Sequence, residues 1–339
     1  MAKNNKKNTL LKKILKSKYA NLTGIIILLI TFTILVTLVN DAFVSKGNLT
    51  NMSRQMVVYG IIACALAFPQ IAGSTDMGIE AVGALCGALT CMMISPTNGG
   101  VFQGEMNTWL AIFIGVAIGC FLGLVNGLLI AYTTIPAFIV TLATQTIFRG
   151  CTYLFTNSVP ISGLPDNFVW LSTCKVFNAI PLQVVIMAIL FAITAFVLNR
   201  TSFGRMLYAI GGNEQAAFQS GINTKKIRVI AYIICGGTAA FAGILLSART
   251  NSASPQAMTG YSTIAISADA IGGIPLEGGA GTVAGMVFGS LMMAMLTNGM
   301  NIMGLNTNFQ YLFRGTVLIV SVLYTQFINK KTAEIFREE

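Results

Sequence analysis

A chain of 339 residues that is 55% hydrophobic and only 9% charged cannot cover a water-facing surface, since soluble chains carry about 25% charged residues. Its net charge of +10 does not make a nucleic-acid-binding face, because fifteen of the 21 Lys and Arg residues gather at three places. The chain has no histidine and no Gly-x-x-x-x-Gly-Lys-[Ser/Thr] loop, which excludes Ser–His chemistry, zincin sites and a phosphate cradle of its own.

The first basic cluster comprises Lys3, Lys6, Lys7, Lys12, Lys13, Lys16 and Lys18. The stretch that follows, "LTGIIILLITFTILVTLV", ends at Asn40-Asp41 without an Ala-x-Ala cleavage site, so it reads as a retained anchor. With this run at 22–39, further apolar segments fall at 56–73, 79–94, 109–132, 137–155, 182–199, 227–247, 281–303 and 310–328. A hydrocarbon core about 30 Å thick needs about 20 helical residues per crossing. The stretch 261–276, "YSTIAISADAIGGIPL", reads as one more crossing, weakened by Asp269, two glycines and Pro275. The expected fold is an all-α polytopic membrane protein of about ten transmembrane segments, eight at the fewest, with some helices broken by glycine. Six of the seven cysteines sit in the apolar segments, where they read as small packing residues.

Two segments echo each other. "GIEAVGALCGAL" at 78–89 aligns with "AGTVAGMVFGSL" at 280–291, placing Gly83 and Gly87 over Gly285 and Gly289. Each follows a glycine-rich turn bearing an acid, Asp76 in one and Glu277 in the other. Repeated glycine-interrupted segments point to a transport site, whereas small-xxx-small spacing alone lets helices pack closely. Both readings stand at this level.

Segment 137–155 carries Thr141, Gln145 and Arg149 on one helical face with Thr144 and Thr152, and Gln310 and Arg314 share the same spacing later. An ionised group at the bilayer centre costs about 2.5–3.5 kcal/mol on insertion scales, so these faces turn inward. They line a polar substrate passage together with Asp76 and Glu80, or they form interhelical bonds and one buried ion pair. The candidate pairs join Arg149 or Arg314 to Glu80 or Asp269. None of these acids forms a catalytic signature, and the chain reads as a transport subunit rather than an enzyme.

Between the two halves lies "RTSFGRMLYAIGGNEQAAFQSGINTKK", residues 200–226, with Arg200, Arg205, Lys225, Lys226 and nearby Arg228. Gly211-Gly212 breaks the preceding structure, Asn213 is a good N-cap, Glu214 suits a first turn, and Gly221 is placed as a C-cap. The result is about two turns of helix presenting Ala216, Ala217 and Phe218. So short a helix is unstable alone in water and must dock on something. Lys330, Lys331 and Arg337 close the chain. The positive-inside pattern puts N-terminus, hairpin and C-terminus on the cytoplasmic side. The predicted organisation is a basic N-terminus (1–21), segments one to six (22–199), a cytoplasmic loop (200–226), segments seven to ten (227–329) and a tail (330–339).

The wording of "TSFGRMLYAIGGNEQAAFQSGIN" resembles the coupling region of permease subunits from bacterial ribose/galactose-type ABC importers. "NGLLIAYTTIPAFIVTLATQTIFRG" (126–150) and "DAIGGIPLEGGAGTVAGMVFGSLMMAMLTNGMNIMGLN" (269–306) are similar to two further stretches of that family, in the same order. The resemblance implies a type II importer-like permease in the bacterial cytoplasmic membrane that moves a monosaccharide or related small polar solute inward. It implies a second permease copy in a homodimer, a cytoplasmic ATPase that binds the ATP and Mg²⁺, and an extracytoplasmic sugar-binding protein. No cofactor in this chain and no nucleic acid are implied. The outward loops 40–55, 95–108 and 156–180 would meet the binding protein. Gly204, Arg205, Gly211, Gly212, Asn213, Glu214, Ala216, Ala217 and Gly221 would couple to the ATPase. One departure stands out: where the family has Asp-Leu-Ser-x-Gly, this chain reads "STDMGIEAVG", keeping Asp76 but placing Gly78 and Glu80 at altered positions. The alternative is an ion-coupled secondary transporter or channel in which Asp76, Glu80 or Asp269 binds the coupling ion.

Overall fold

Inside hydrocarbon a backbone must satisfy its own hydrogen bonds, and the long apolar runs of this chain do so as helices. The computed structural model describes residues 20–96, 104–177 and 179–337, so the lysines at positions 3–18 lie outside the described residues. In chain order the helices are α1 (Ala20–Val39), α2 (Lys46–Ile71), α3 (Ile79–Ile94), α4 (Thr108–Tyr132), α5 (Ala137–Phe155) and α6 (Asp166–Thr173). They continue as α7 (Leu182–Arg200), α8 (Ser202–Gly212), α9 (Glu214–Gln219), α10 (Thr224–Thr250), α11 (Tyr261–Ile271), α12 (Val283–Ile302) and α13 (Thr307–Arg337). The sheet among the described residues is a two-residue antiparallel pair, β1 (Lys175–Val176) with β2 (Ile180–Pro181). The all-α class is as expected.

Among the described residues, five helices are long and apolar enough to cross a membrane: α2, α4, α7, α10 and α12. Shorter apolar stretches occupy 24–39 in α1, all of α3, and 308–323 in α13. Helix α5 has the length of a span, but its Thr, Gln and Arg stripe lowers its hydropathy. The expected crossing at 261–276 takes a different form. Only 11 residues of it are helical, as α11. At 1.5 Å per residue that is about 16 Å, half a bilayer. The chain then turns through five glycines between 272 and 281, four of them with positive φ, before α12 begins. Likewise α2 ends at Ile71, turns at Gly73, and restarts as the 16-residue α3. In each case the second helix runs antiparallel to the first, so these are two breaks at which the chain doubles back, and they meet.

Helix α2 forms the centre. Of its most apolar stretch, 83% is buried within the protein, against α7, α10, α11 and α12. The repeated glycines face backbones: Gly83 abuts Ala239 O and Gly87 abuts Gly243 O on α10, while Gly289 abuts Ala268 of α11 and Gly285 abuts Gly272, the residue that caps it. A Cβ on Gly87 would stand 3.0 Å from the Gly243 carbonyl, so each pair sets how closely its helices approach.

Candidate functional site

Two arrangements bring the polar residues of the sequence together. The first is the hairpin. Thr201 caps α8, its Oγ1 accepting from Gly204 N at 3.2 Å. Helix α8 is amphipathic, with Gly204, Leu207 and Ile210 buried and Arg205 exposed. Gly204 packs on the backbone of Val197 and Leu198, where no side chain fits. Asn213 Oδ1 accepts from Ala216 N at 3.0 Å and starts α9. Gly221, at φ +86°, reverses the chain in the left-handed conformation natural to glycine. Glu214 Oε2 meets Arg228 Nη2 at 2.8 Å, bracing α9 against α10. The capping read from the sequence is therefore present.

The exposure of Ala217 is not. Ala217 is 4% exposed and belongs to the main core cluster. A six-residue helix lying on a bundle must turn one residue inward, and Ala217 is the small one that fits. The outward face consists of Gln215, Ala216, Gln219 and Phe218, the last 68% exposed. Beside it an open depression of about 990 Å³ is lined by Glu214, Phe218, Ile222 and Lys225, among others.

The inner end of α8 rests on both helix breaks at once. A Cβ on Gly211 would land on Ile71 O, at the end of α2, and on the backbone N of Gly279, in the α11–α12 turn. Those two atoms are bonded to each other, Gly279 N donating to Ile71 O at 2.9 Å. Gln70 Nε2 also crosses, donating to Ile274 O at 3.2 Å. One turn above Gly211, Tyr208 Oη donates to Gly281 O at 3.0 Å. Burial pushes the Tyr208 phenol above its ordinary pKa, which keeps it a donor. Gly212, by contrast, has open space around it.

The second arrangement is a buried polar network across α3, α5, the start of α11 and the loop before it. Glu80 Oε1 accepts from Gln145 Nε2 at 2.9 Å and pairs with Arg149 Nη2 at 3.4 Å. Glu80 Oε2 accepts from Ser262 Oγ at 2.9 Å and Ser262 N at 3.2 Å. Arg149 Nη1 donates to Pro255 O at 3.0 Å and Ala257 O at 2.8 Å. Of the ion pairs open to the sequence reading, this is the one formed. Thr141 Oγ1 accepts from Met77 N at 3.2 Å, tying α5 to the first helix break. Asp76 lies alongside, buried, with Oδ1 accepting from Gly78 N at 2.8 Å and Oδ2 facing Cys235 Sγ at 3.8 Å. A Cβ on Gly78 would stand 3.1 Å from Thr141 O, so the altered motif belongs to a tight corner. Asp269 is fully buried and accepts no hydrogen bond among the described residues. Arg314 stands apart, its guanidinium 5.7 Å from the Tyr311 ring centre. Among the described residues no cluster of three or more potential metal ligands occurs.

One polar feature escapes the sequence reading. At the opposite end of the bundle from α8 and α9, a cavity of about 240 Å³ is lined by Asn48, Asn51, Gln55, Arg249, Asn298 and Asn301. The available signal is the i, i+3, i+7 spacing of the first three at the start of α2, echoed by the i, i+3 pair closing α12.

A family model described as the branched-chain amino acid transport system / permease component matches residues 48–322. The ribose import permease protein RbsC of Bacillus subtilis is 36% identical over 296 residues, covering 87% of this chain and 89% of that protein. RbsC of Haemophilus influenzae is 35% identical, covering 90% and 93% respectively. The D-allose transport system permease protein AlsC of Escherichia coli is 33% identical, covering 90% and 91%. No solved structure matches the chain significantly.

Proposed function

The chain belongs to the branched-chain amino acid transport system / permease component family, and from that premise we propose that it is the permease subunit of an ATP-driven monosaccharide importer. It is a multi-pass membrane protein and a transport subunit. ATP and Mg²⁺ belong to a separate cytoplasmic ATPase, the solute arrives on an extracytoplasmic binding protein, and a second copy of this chain completes the pathway. The hairpin side, holding both termini, faces the cytoplasm.

The observation that carries this reading is the seating of Gly211 on both helix breaks. A chain without a nucleotide site takes its mechanical input through protein contact. Here an exposed capped helix is joined, through one amphipathic helix, to the two points where the chain turns between membrane helices. Displacement of α9 by a closing ATPase would reach both breaks together and bias one packing of the bundle over the other. An ion-coupled transporter would have no use for that linkage. In addition, Glu80 is already neutralised by Arg149, leaving it poorly suited to hold a coupling ion.

The test is co-purification of the ATPase with tagged permease from detergent-solubilised membranes. Phe218→Glu places a charge on the exposed face without disturbing buried Ala217. Retention of the ATPase should fall at least about tenfold, the loss that accompanies about 1.4 kcal/mol of binding energy at a hot-spot aromatic. Equal recovery with both proteins, each folded by size-exclusion profile, would remove α9 from the interface. Failure to recover any ATPase with wild type would remove the importer reading itself.

A further inference from the structure

We infer that the amide-lined cavity remote from the hairpin is a low-affinity subsite for a neutral monosaccharide, entered before the bundle changes packing. The inference rests on the import reading above and gives it a place in the molecule.

Position comes first. Helix α10 leaves the hairpin at Thr224, and Arg249 lies 25 residues on, about 38 Å away along a helix. Asn48 lies a similar distance along α2 from Ile71, which touches Gly211. The cavity therefore opens on the side from which an importer receives its solute.

Chemistry comes next. A sugar presents hydroxyls that both donate and accept, and an amide side chain offers both functions in one plane. Asn48 and Asn298 bond each other reciprocally, Nδ2 to Oδ1 at 2.8 Å and 2.9 Å, which fixes one wall. Asn301 Oδ1 accepts from Gln310 Nε2 at 2.8 Å, which orients its own amide nitrogen. Gln55 Nε2 reaches Tyr59 Oη at 3.3 Å and leaves its carbonyl oxygen for a ligand. Arg249 commits one nitrogen to Arg54 O at 3.2 Å and has no carboxylate partner among the described residues, so its remaining N–H groups are available to a ligand oxygen. The donors and acceptors are mixed, whereas an anion site needs converging donors. A single guanidinium among five amides favours a neutral polyol.

Size agrees. About 240 Å³ falls below the roughly 300–1,000 Å³ of drug-sized pockets and suits one sugar ring. A transport subsite must also release what it binds, and hydrogen bonds from the exposed amides of Asn51 and Asn301 hold weakly enough for that.

The experiment reads occupancy without requiring transport. In full-length Cys174→Ser permease, Asn301→Cys is modified by a charged, membrane-impermeant methanethiosulfonate, with D-ribose, D-allose, D-gluconate or glycine betaine as probes. Modification slows as 1 + [L]/Kd, so a sugar at twice its Kd should slow it about threefold, with betaine inert. Asn51→Cys, on α2 rather than α12, should report the same protection, which guards against a local effect of either thiol. Protection by gluconate but by neither sugar overturns the neutral assignment. Protection by none overturns the subsite, and uptake by the same variants assembled with ATPase and binding protein identifies what failed. Uptake without protection removes the cavity alone; loss of all monosaccharide uptake in wild type removes the import reading as well.

Discussion

Replacing Gly211 with alanine should reduce ATP-driven uptake by about fivefold to 150-fold while the protein still inserts. The added Cβ meets Ile71 O and the backbone N of Gly279, both fixed in a hydrogen bond to each other. Neither is a flexible side-chain end, so relief comes only by lifting α8 off the two breaks. Overpacking of this kind costs about 1–3 kcal/mol, and a coupling equilibrium shifted by that much changes by the stated factor. Gly212→Ala is the control, because a Cβ there meets nothing within 4 Å and its uptake should stay within about twofold of wild type. Uptake and sugar-stimulated ATP hydrolysis in proteoliposomes give the readout. Equal behaviour of the two variants would show that the contact transmits nothing.

The second large effect lies in the buried network. Arg149→Met leaves Glu80 charged at 5% side-chain exposure, and Glu80→Gln leaves Arg149 unpaired at 15%. Removing one member of a buried pair costs about 3–5 kcal/mol, because the other keeps its desolvation penalty. Glu80 retains Gln145 and Ser262 as donors, so Arg149→Met should sit near the lower bound. The double variant should lose about 1–3 kcal/mol less than the sum, since no orphan charge remains. Denaturant titration in a fixed detergent measures all three. Strict additivity would mean that the two groups act independently despite their contact.

These residues also show what a single sequence can reveal. The Thr141–Gln145–Arg149 stripe followed from helical period alone, because a stripe is a local property. Its partner did not follow, since Glu80 and Asp269 are equally acidic and only the packing of α3 on α5 selects Glu80. The caps on α9 were legible for the same local reason. The burial of Ala217 was not, because six residues are too few to establish which face is apolar. The segment at 261–276 read as a crossing from its composition, and its reduction to half a span depends on Gly278 and Gly279, just beyond it, meeting the α2–α3 turn. The amide cavity draws its walls from α2, α10 and α12, between residues 48 and 301, so the amides at the start of α2 look like an ordinary polar helix entrance. Gly83 and Gly285 announced close packing, but not that one faces α10 and the other α11.

The central place of α2 has a consequence for how the protein is made. The helices that enclose it, α7, α10, α11 and α12, all follow it in the chain. As synthesis proceeds, α2 enters the bilayer long before any of them exists. Gln70 then lacks the carbonyl of Ile274, and the carbonyl of Ile71 waits for the amide of Gly279. The middle of this protein is therefore completed last, and a ribosome stalled before residue 274 leaves Gln70 without the carbonyl it donates to and the Ile71 carbonyl without its amide.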